Sequence, residues 1–148
     1  IDWGIILIFG GGLSLGVLGS QTGLAQSVGR GLAAAVPSHS VLALVALATI
    51  TAALVSEVTS NTASATMVVP VVIGVAQAAG VDPLEPALAA TLGSGLGFML
   101  PVSTPCNAIV YSSGRIPLRT MMAYGLMLDI VGIAIIVASV HFIVPLVR

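Results

Sequence analysis

Residues 41–79 read VLALVALATITAALVSEVTSNTASATMVVPVVIGVAQAA, with Glu57 as the single charge in the run. The length would suit two membrane-crossing helices of about 20 residues each, but the middle does not. Ser56-Glu57-Val58-Thr59-Ser60-Asn61-Thr62 is its most polar part and leaves apolar arms at Val41–Val55 and Ala63–Ala79. At 1.5 Å rise per residue the first arm reaches about 22 Å, short of a hydrocarbon core about 30 Å thick. The stretch therefore reads as a re-entrant helical hairpin over 41–79 whose polar tip stands near mid-membrane. Such a tip cannot face lipid, because unpaired backbone groups there cost several kcal/mol each, so it must line a protein cavity.

Composition supports the membrane reading. The chain is 57% hydrophobic and 6% charged, against about 25% charged residues in soluble domains. Water-soluble enzyme folds are excluded on that ground. The net charge of −1 gives no basic face for phosphates, so no nucleic-acid partner is expected. Cys106 is the sole cysteine, and His39 and His141 lie far apart, so no zinc or haem spacing exists. The chain opens Ile1-Asp2-Trp3 without the charged start of a signal peptide, and the expectation is an internal or C-terminal piece of something longer.

Outward from the hairpin, 3–29 reads as a transmembrane helix with Trp3 near an interface and Gly10-Gly11-Gly12 allowing close approach. A polar loop, Gly80 to Pro86, leads to a span over 87–113 broken in its middle. Its first half runs from Ala87 through Gly93, Gly95 and Gly97 to Leu100 and meets Pro101-Val102-Ser103-Thr104-Pro105-Cys106-Asn107, where two prolines end a helix. The second half runs from Ala108 to Ser113. After the Arg115/Arg119 loop, 120–146 reads as a full-length helix. The fold class is an all-α membrane protein with a re-entrant hairpin and a broken helix. Parity puts the Arg30 and Asp82/Glu85 loops and Arg148 on one side, and the two-arginine loop on the other, cytoplasmic side.

Each break makes a helix C-terminus followed by a helix N-terminus inside the membrane. The bare carbonyls of the first suit a small cation, and the bare N–H groups of the second suit an anion. Paired discontinuous segments of this kind point to a secondary-transporter site near the midplane. Asn61 and Thr62 stand where the returning half-helix begins, able to cap it or to meet an anion. Thr104 before Pro105 reads as an N-cap followed by proline at the first helical position. Ser56, Thr59 and Ser103 lie at the ends of the preceding half-helices, where oxygens could surround sodium. Ser64, Thr66, Thr91 and Ser94 read as interhelical glue. Glu57 is either functional or a partner for backbone at the tip, and Asp129 is a buried acid without a named partner.

At these residues the chain resembles the divalent anion:sodium symporter family of di- and tricarboxylate and sulfate transporters. Thr59-Ser60-Asn61-Thr62-Ala63-Ser64-Ala65 is similar to the Ser-Asn-Thr motif of that family's second hairpin. Ser94 to Val110 (SGLGFMLPVSTPCNAIV) resembles its signature stretch, with Gly95 where a serine is usual. The resemblance implies one half, the C-terminal repeat, of an inverted-repeat transporter that works as a homodimer by an elevator motion, the N-terminal repeat being missing. It implies sodium-coupled symport of di- or tricarboxylates such as succinate. Ser60, Asn61, Thr62, Thr104 and Pro105 would then bind the anionic substrate, while Ser56, Thr59, Asn61 and Ser103 would bind Na+. The expected location is the cell membrane, as a multi-pass protein within the lipid bilayer. The alternatives are proton coupling through Glu57 or Asp129, sulfate as substrate, a structural membrane subunit, or an intramembrane hydrolase using Ser60 or Ser103. For the last, the chain holds no lysine to activate a serine, and no enzyme is expected.

Overall fold

The computed structural model describes Thr22 and residues 40–147. The helix expected over 3–29, and the loops at Arg30 and His39, lie outside the described residues, as does Arg148. Among the described residues the elements are all helices: α1 (Val41–Val58), α2 (Asn61–Ala78), α3 (Leu84–Gly93), α4 (Pro105–Ser112) and α5 (Leu118–Val147). By length and composition α1, α2 and α5 can each cross a membrane.

The two arms of the hairpin are longer than the apolar pattern indicated. Ser56, Glu57 and Val58 continue α1, giving 18 residues, or about 27 Å of helix. Ser56 and Glu57 are buried, which is how a polar pair sits inside a helix that the hydrophobic run alone would have ended at Val55. Arm length therefore no longer argues for re-entry, since each 18-residue arm can cross a membrane by length and composition. Asn61 opens α2, and Pro70 lies inside it without ending it; the Thr66 hydroxyl donates to Ala63 O at 3.0 Å in the turns before it. Gly80 closes α2 in the left-handed region at φ 69°, where Val81 N donates to Ala76 O at 2.9 Å and Gly80 N to Gln77 O at 3.1 Å. That is a Schellman turn, and it requires glycine.

The broken span departs from the expected bounds. α3 starts at Leu84, whose N–H donates to Asp82 Oδ1 at 2.9 Å, and it stops at Gly93 instead of running to Leu100. Residues 94–104 carry no helix. Glycines at 93, 95 and 97 weaken a helix there, and the freed backbone groups find tertiary partners, described below. α4 then begins at Pro105, not Ala108, with Thr104 as its N-cap.

The core is narrow and built from small residues. Thr49 of α1 is fully buried, and a Cβ at Gly93 would stand 2.7 Å from Thr49 O. α1 and α3 thus meet backbone to backbone, the small-residue packing of membrane helices. Ala48, Ala52, Val68 and Ala90 form one buried cluster, and Val45, Ala89 and Val140 another. α1 thus packs against α2, α3 and α5, while Ile50, Leu54 and Val58 stay exposed. The outer faces of α4 and α5 are exposed and apolar, including Ile109, Leu126, Ile130 and Phe142.

Candidate functional site: two helix breaks laced together

Backbone pairing at the hairpin tip comes first. Thr59 ends α1, its N–H donating to Val55 O at 3.1 Å and its hydroxyl to the same carbonyl at 2.7 Å. Ser60 is the N-cap of α2, its Oγ accepting from Ala63 N at 3.2 Å. The cap is therefore Ser60, and not Asn61 or Thr62, which occupy the first turn. That leaves the Asn61 side chain for other work. Ser60 and Thr62 are exposed and Asn61 half-buried.

Asn61 is used across the two breaks. Ser56 Oγ, fully buried, lies 2.8 Å from Asn61 Oδ1 and 2.7 Å from Ser94 O. Both neighbours are acceptors, and the hydroxyl has one proton to give. Ser103 Oγ donates to Ser56 O at 2.9 Å, and Asn61 Nδ2 reaches Gly95 O at 3.5 Å. Gly97 closes the group: a Cβ there would run into Ser103 Oγ and stand 3.2 Å from Ser56 Oγ and 3.3 Å from Asn61 Oδ1. The result is a compact set of neutral oxygens with fewer protons than acceptors, at the C-terminal ends of α1 and α3. That donor set fits a monovalent cation, held by unwound carbonyls and helix C-termini. Among the described residues no group of three or more His, Cys, Asp or Glu is placed to hold a metal.

Of the four sequence-predicted sodium residues, Ser56, Asn61 and Ser103 are brought together. Thr59 turns its hydroxyl back onto its own helix and joins the group by no side-chain bond. The reading missed Ser94 O, Gly95 O and Gly97. The Ser94 hydroxyl, expected as interhelical glue, bonds Thr91 O at 2.7 Å in its own helix; its carbonyl is what faces Ser56. Of that glue set, only Ser64 crosses between helices, donating to Ala52 O at 2.7 Å. The alternating glycines 93, 95 and 97 were the available signal for an unwound stretch.

Two other side chains hold the unwound backbone. Glu57 accepts from Met99 N at 3.0 and 3.2 Å and from Leu100 N at 3.0 Å. Asn107 Nδ2 donates to Gly97 O at 2.8 Å and Leu100 O at 3.0 Å. Of the two roles open for Glu57, the backbone role is the one its contacts show.

The helix N-termini at the two breaks are the first turns of α2 and α4. Thr104 Oγ1 accepts from Asn107 N at 3.2 Å, and Pro105 takes the first helical position, where no N–H is needed. Thr104 is half-buried and Pro105 exposed. A cleft of about 400 Å³ opens elsewhere, lined by Phe98, Asn107, Arg115 and Tyr124 among others, and contains none of the predicted ligand residues.

The chain matches the family model described as sodium:sulfate symporter transmembrane region over residues 1–147. It is 38% identical over 145 residues to the sodium-dependent dicarboxylate transporter SdcS of Staphylococcus saprophyticus, covering 98% of this chain and 28% of that protein. It is 37% identical over 147 residues to the transporter of the same name in Staphylococcus aureus strain MRSA252, covering 99% of this chain and 28% of the relative. The chain thus spans little more than a quarter of these relatives' length.

Proposed function

Since the chain belongs to the sodium:sulfate symporter family, we propose that it carries the C-terminal half of the site of a sodium-coupled dicarboxylate symporter. The protein is an integral, multi-pass membrane protein of the cell membrane. The observation that carries the proposal is the Ser56–Asn61–Ser94–Ser103 oxygen group between two helix breaks. In this reading Ser56, Asn61 and Ser103, with the carbonyls of 94 and 95, hold Na+, and Thr59 contributes through backbone. Ser60, Asn61, Thr62, Thr104 and Pro105 meet one substrate carboxylate at the first turns of α2 and α4. Sodium offsets the negative ends of α1 and α3, so an anion binds better once it is present, and the two affinities rise together. α1 and α2 form a re-entrant hairpin and α3 and α4 a broken span. The rest of the site comes from an N-terminal repeat, and the whole works as a homodimer moving by an elevator mechanism. The protein performs no covalent chemistry.

The substrate class follows the named relatives, both dicarboxylate transporters; the family's description favours sulfate as the second reading. Labelled succinate uptake into proteoliposomes, with an inward sodium gradient against choline, tests the proposal. Sodium-dependent uptake is expected. Competition by sulfate but not by citrate or fumarate moves the substrate to the second reading, and flux driven by protons alone overturns sodium coupling.

A further inference from the structure

The turn between α4 and α5 carries Arg115, and Arg119 follows in the first turn of α5, while the sequence holds no Asp or Glu from 86 to 128. Arg115 lines the cleft of about 400 Å³ beside α5, together with Thr120 and Tyr124, and it is the sole charged residue on that lining. Among the described residues no hydrogen-bond or ionic partner occupies the Arg115 guanidinium or the Thr120 and Tyr124 hydroxyls. Asn107 also lines the cleft, but its amide nitrogen is committed to Gly97 O and Leu100 O. The cleft therefore offers one positive charge and two free hydroxyls.

Its polarity is graded along the membrane. α5 is long and apolar enough to cross from Leu118 to Leu146, so Arg115 and Thr120 stand at one end of a span, at headgroup depth. From Thr120 to Leu128 the helix advances about 12 Å toward the bilayer centre, and the wall there is Phe98, Tyr124 and Leu128. Tyr124 and Leu128 share a face of α5 that continues past the cleft as exposed Val131 and Ile135. A Cβ at Gly125 would stand 2.6 Å from Met99 Cα, so α5 is held tightly against the segment that bears Phe98. We propose that this cleft binds an anionic phospholipid, its phosphate on Arg115 with Thr120 and Tyr124 as hydroxyl donors, and one acyl chain along Leu128, Val131 and Ile135.

Charge and polarity together select that occupant. A soluble anion uses Arg115 but leaves the apolar stripe of α5 uncovered. A zwitterionic lipid covers the stripe but brings an ammonium group to a cleft that has no carboxylate to meet it. An unpaired arginine between membrane helices, at headgroup depth, favours a lipid with net negative charge. The space suits a headgroup and the start of one chain, the remainder lying along the outer face of α5. This inference rests on the membrane setting of α5 and is independent of the sodium and substrate readings.

The test uses the full-length protein in detergent, offered phosphatidylglycerol, phosphatidylcholine or inorganic phosphate. Native mass spectrometry reads the lipid retained per protein, and the melting midpoint reads the stabilisation. Phosphatidylglycerol should be retained about tenfold over phosphatidylcholine and should raise the midpoint, while inorganic phosphate should not. Arg115→Gln should cut phosphatidylglycerol retention about fivefold, the worth of one arginine at an anionic surface, whereas Arg119→Gln, outside the cleft, should stay within about twofold of wild type. Leu128→Trp, which fills the apolar end without altering charge, should also weaken retention, and it decides the matter if Arg115→Gln does not fold. Equal retention of the two lipids overturns the proposal. So does an Arg115→Gln protein that behaves as wild type, the result expected if another part of the full-length chain covers the cleft. Equal losses in Arg115→Gln and Arg119→Gln reduce the effect to general surface charge and overturn the site, and a midpoint rise with inorganic phosphate alone assigns the cleft to soluble anions instead.

Discussion

Gly97 shows how much one hydrogen in place of a methyl can decide. Its α-position faces Ser56 Oγ, Asn61 Oδ1 and Ser103 Oγ at distances a Cβ cannot share. Gly97→Ala should raise the sodium requirement for uptake at least tenfold, about 1.4 kcal/mol, while leaving expression and monodispersity intact; an unchanged sodium curve would show that the oxygen group is not the ion site. Asn61 stands at the junction of both proposed ligands. Its loss in Asn61→Ala removes a polar partner worth about 2 kcal/mol, and on the proposed reading uptake should fall below detection in a folded protein. Asn61 was legible in the sequence from its place in a polar interruption. Gly97 was not, because its value lies in the side chains of Ser56 and Asn61, from α1 and α2, converging with Ser103 on it.

Among the elements, α3 and α4 show where local propensity and tertiary contact divide the work. Glycines 93, 95 and 97 and Pro101 and Pro105 announce a break, but where helix stops depends on which backbone groups find partners. Ser56 takes Ser94 O, Asn107 takes Gly97 O and Leu100 O, and Glu57 takes two N–H groups. Those partners make an end at Gly93 affordable, whereas pattern alone carried α3 to Leu100. Thr104→Val keeps the shape and removes the cap acceptor, costing about 1 kcal/mol of stability. If the first turn of α4 meets the substrate, half-saturation for succinate should rise more than that for sodium in this variant. Gly93→Ala would push a methyl against Thr49 O. Overpacking of this kind costs about 1–3 kcal/mol, so the melting midpoint should fall by several degrees; no fall would mean that α1 and α3 can separate freely.

For the whole molecule, the exposed apolar area is the dominant feature. Leu126, Ile130, Phe142 and Leu146 of α5 face outward, and a surface of that kind needs lipid or another part of the protein against it. Cys106, exposed in the first turn of α4 beside Thr104 and Pro105, offers a probe of whether the break opens to water. In proteoliposomes a membrane-impermeant maleimide should label it, and sodium with succinate should slow the labelling severalfold. Labelling indifferent to both would argue for a packed, structural break, and absence of labelling for one sealed from water.

The membrane setting, the helix-only architecture and the polar interruptions at 56–62 and 101–107 were set by sequence, because burial of apolar runs and the need to pair backbone in lipid act locally along the chain. Asn61, Thr104 and Pro105 could be named for the same reason: their roles follow from neighbours in sequence. Tertiary structure alone decided that Ser60 rather than Asn61 caps α2, that Thr59 turns back onto α1, and that Ser94 acts through its carbonyl. It also gave Glu57 its partner across 42 residues of chain. A hydroxyl, a carbonyl and a carboxylate each have several satisfying partners, and which of them is chosen depends on which segments the packing of α1 against α3 and α5 brings within 3 Å.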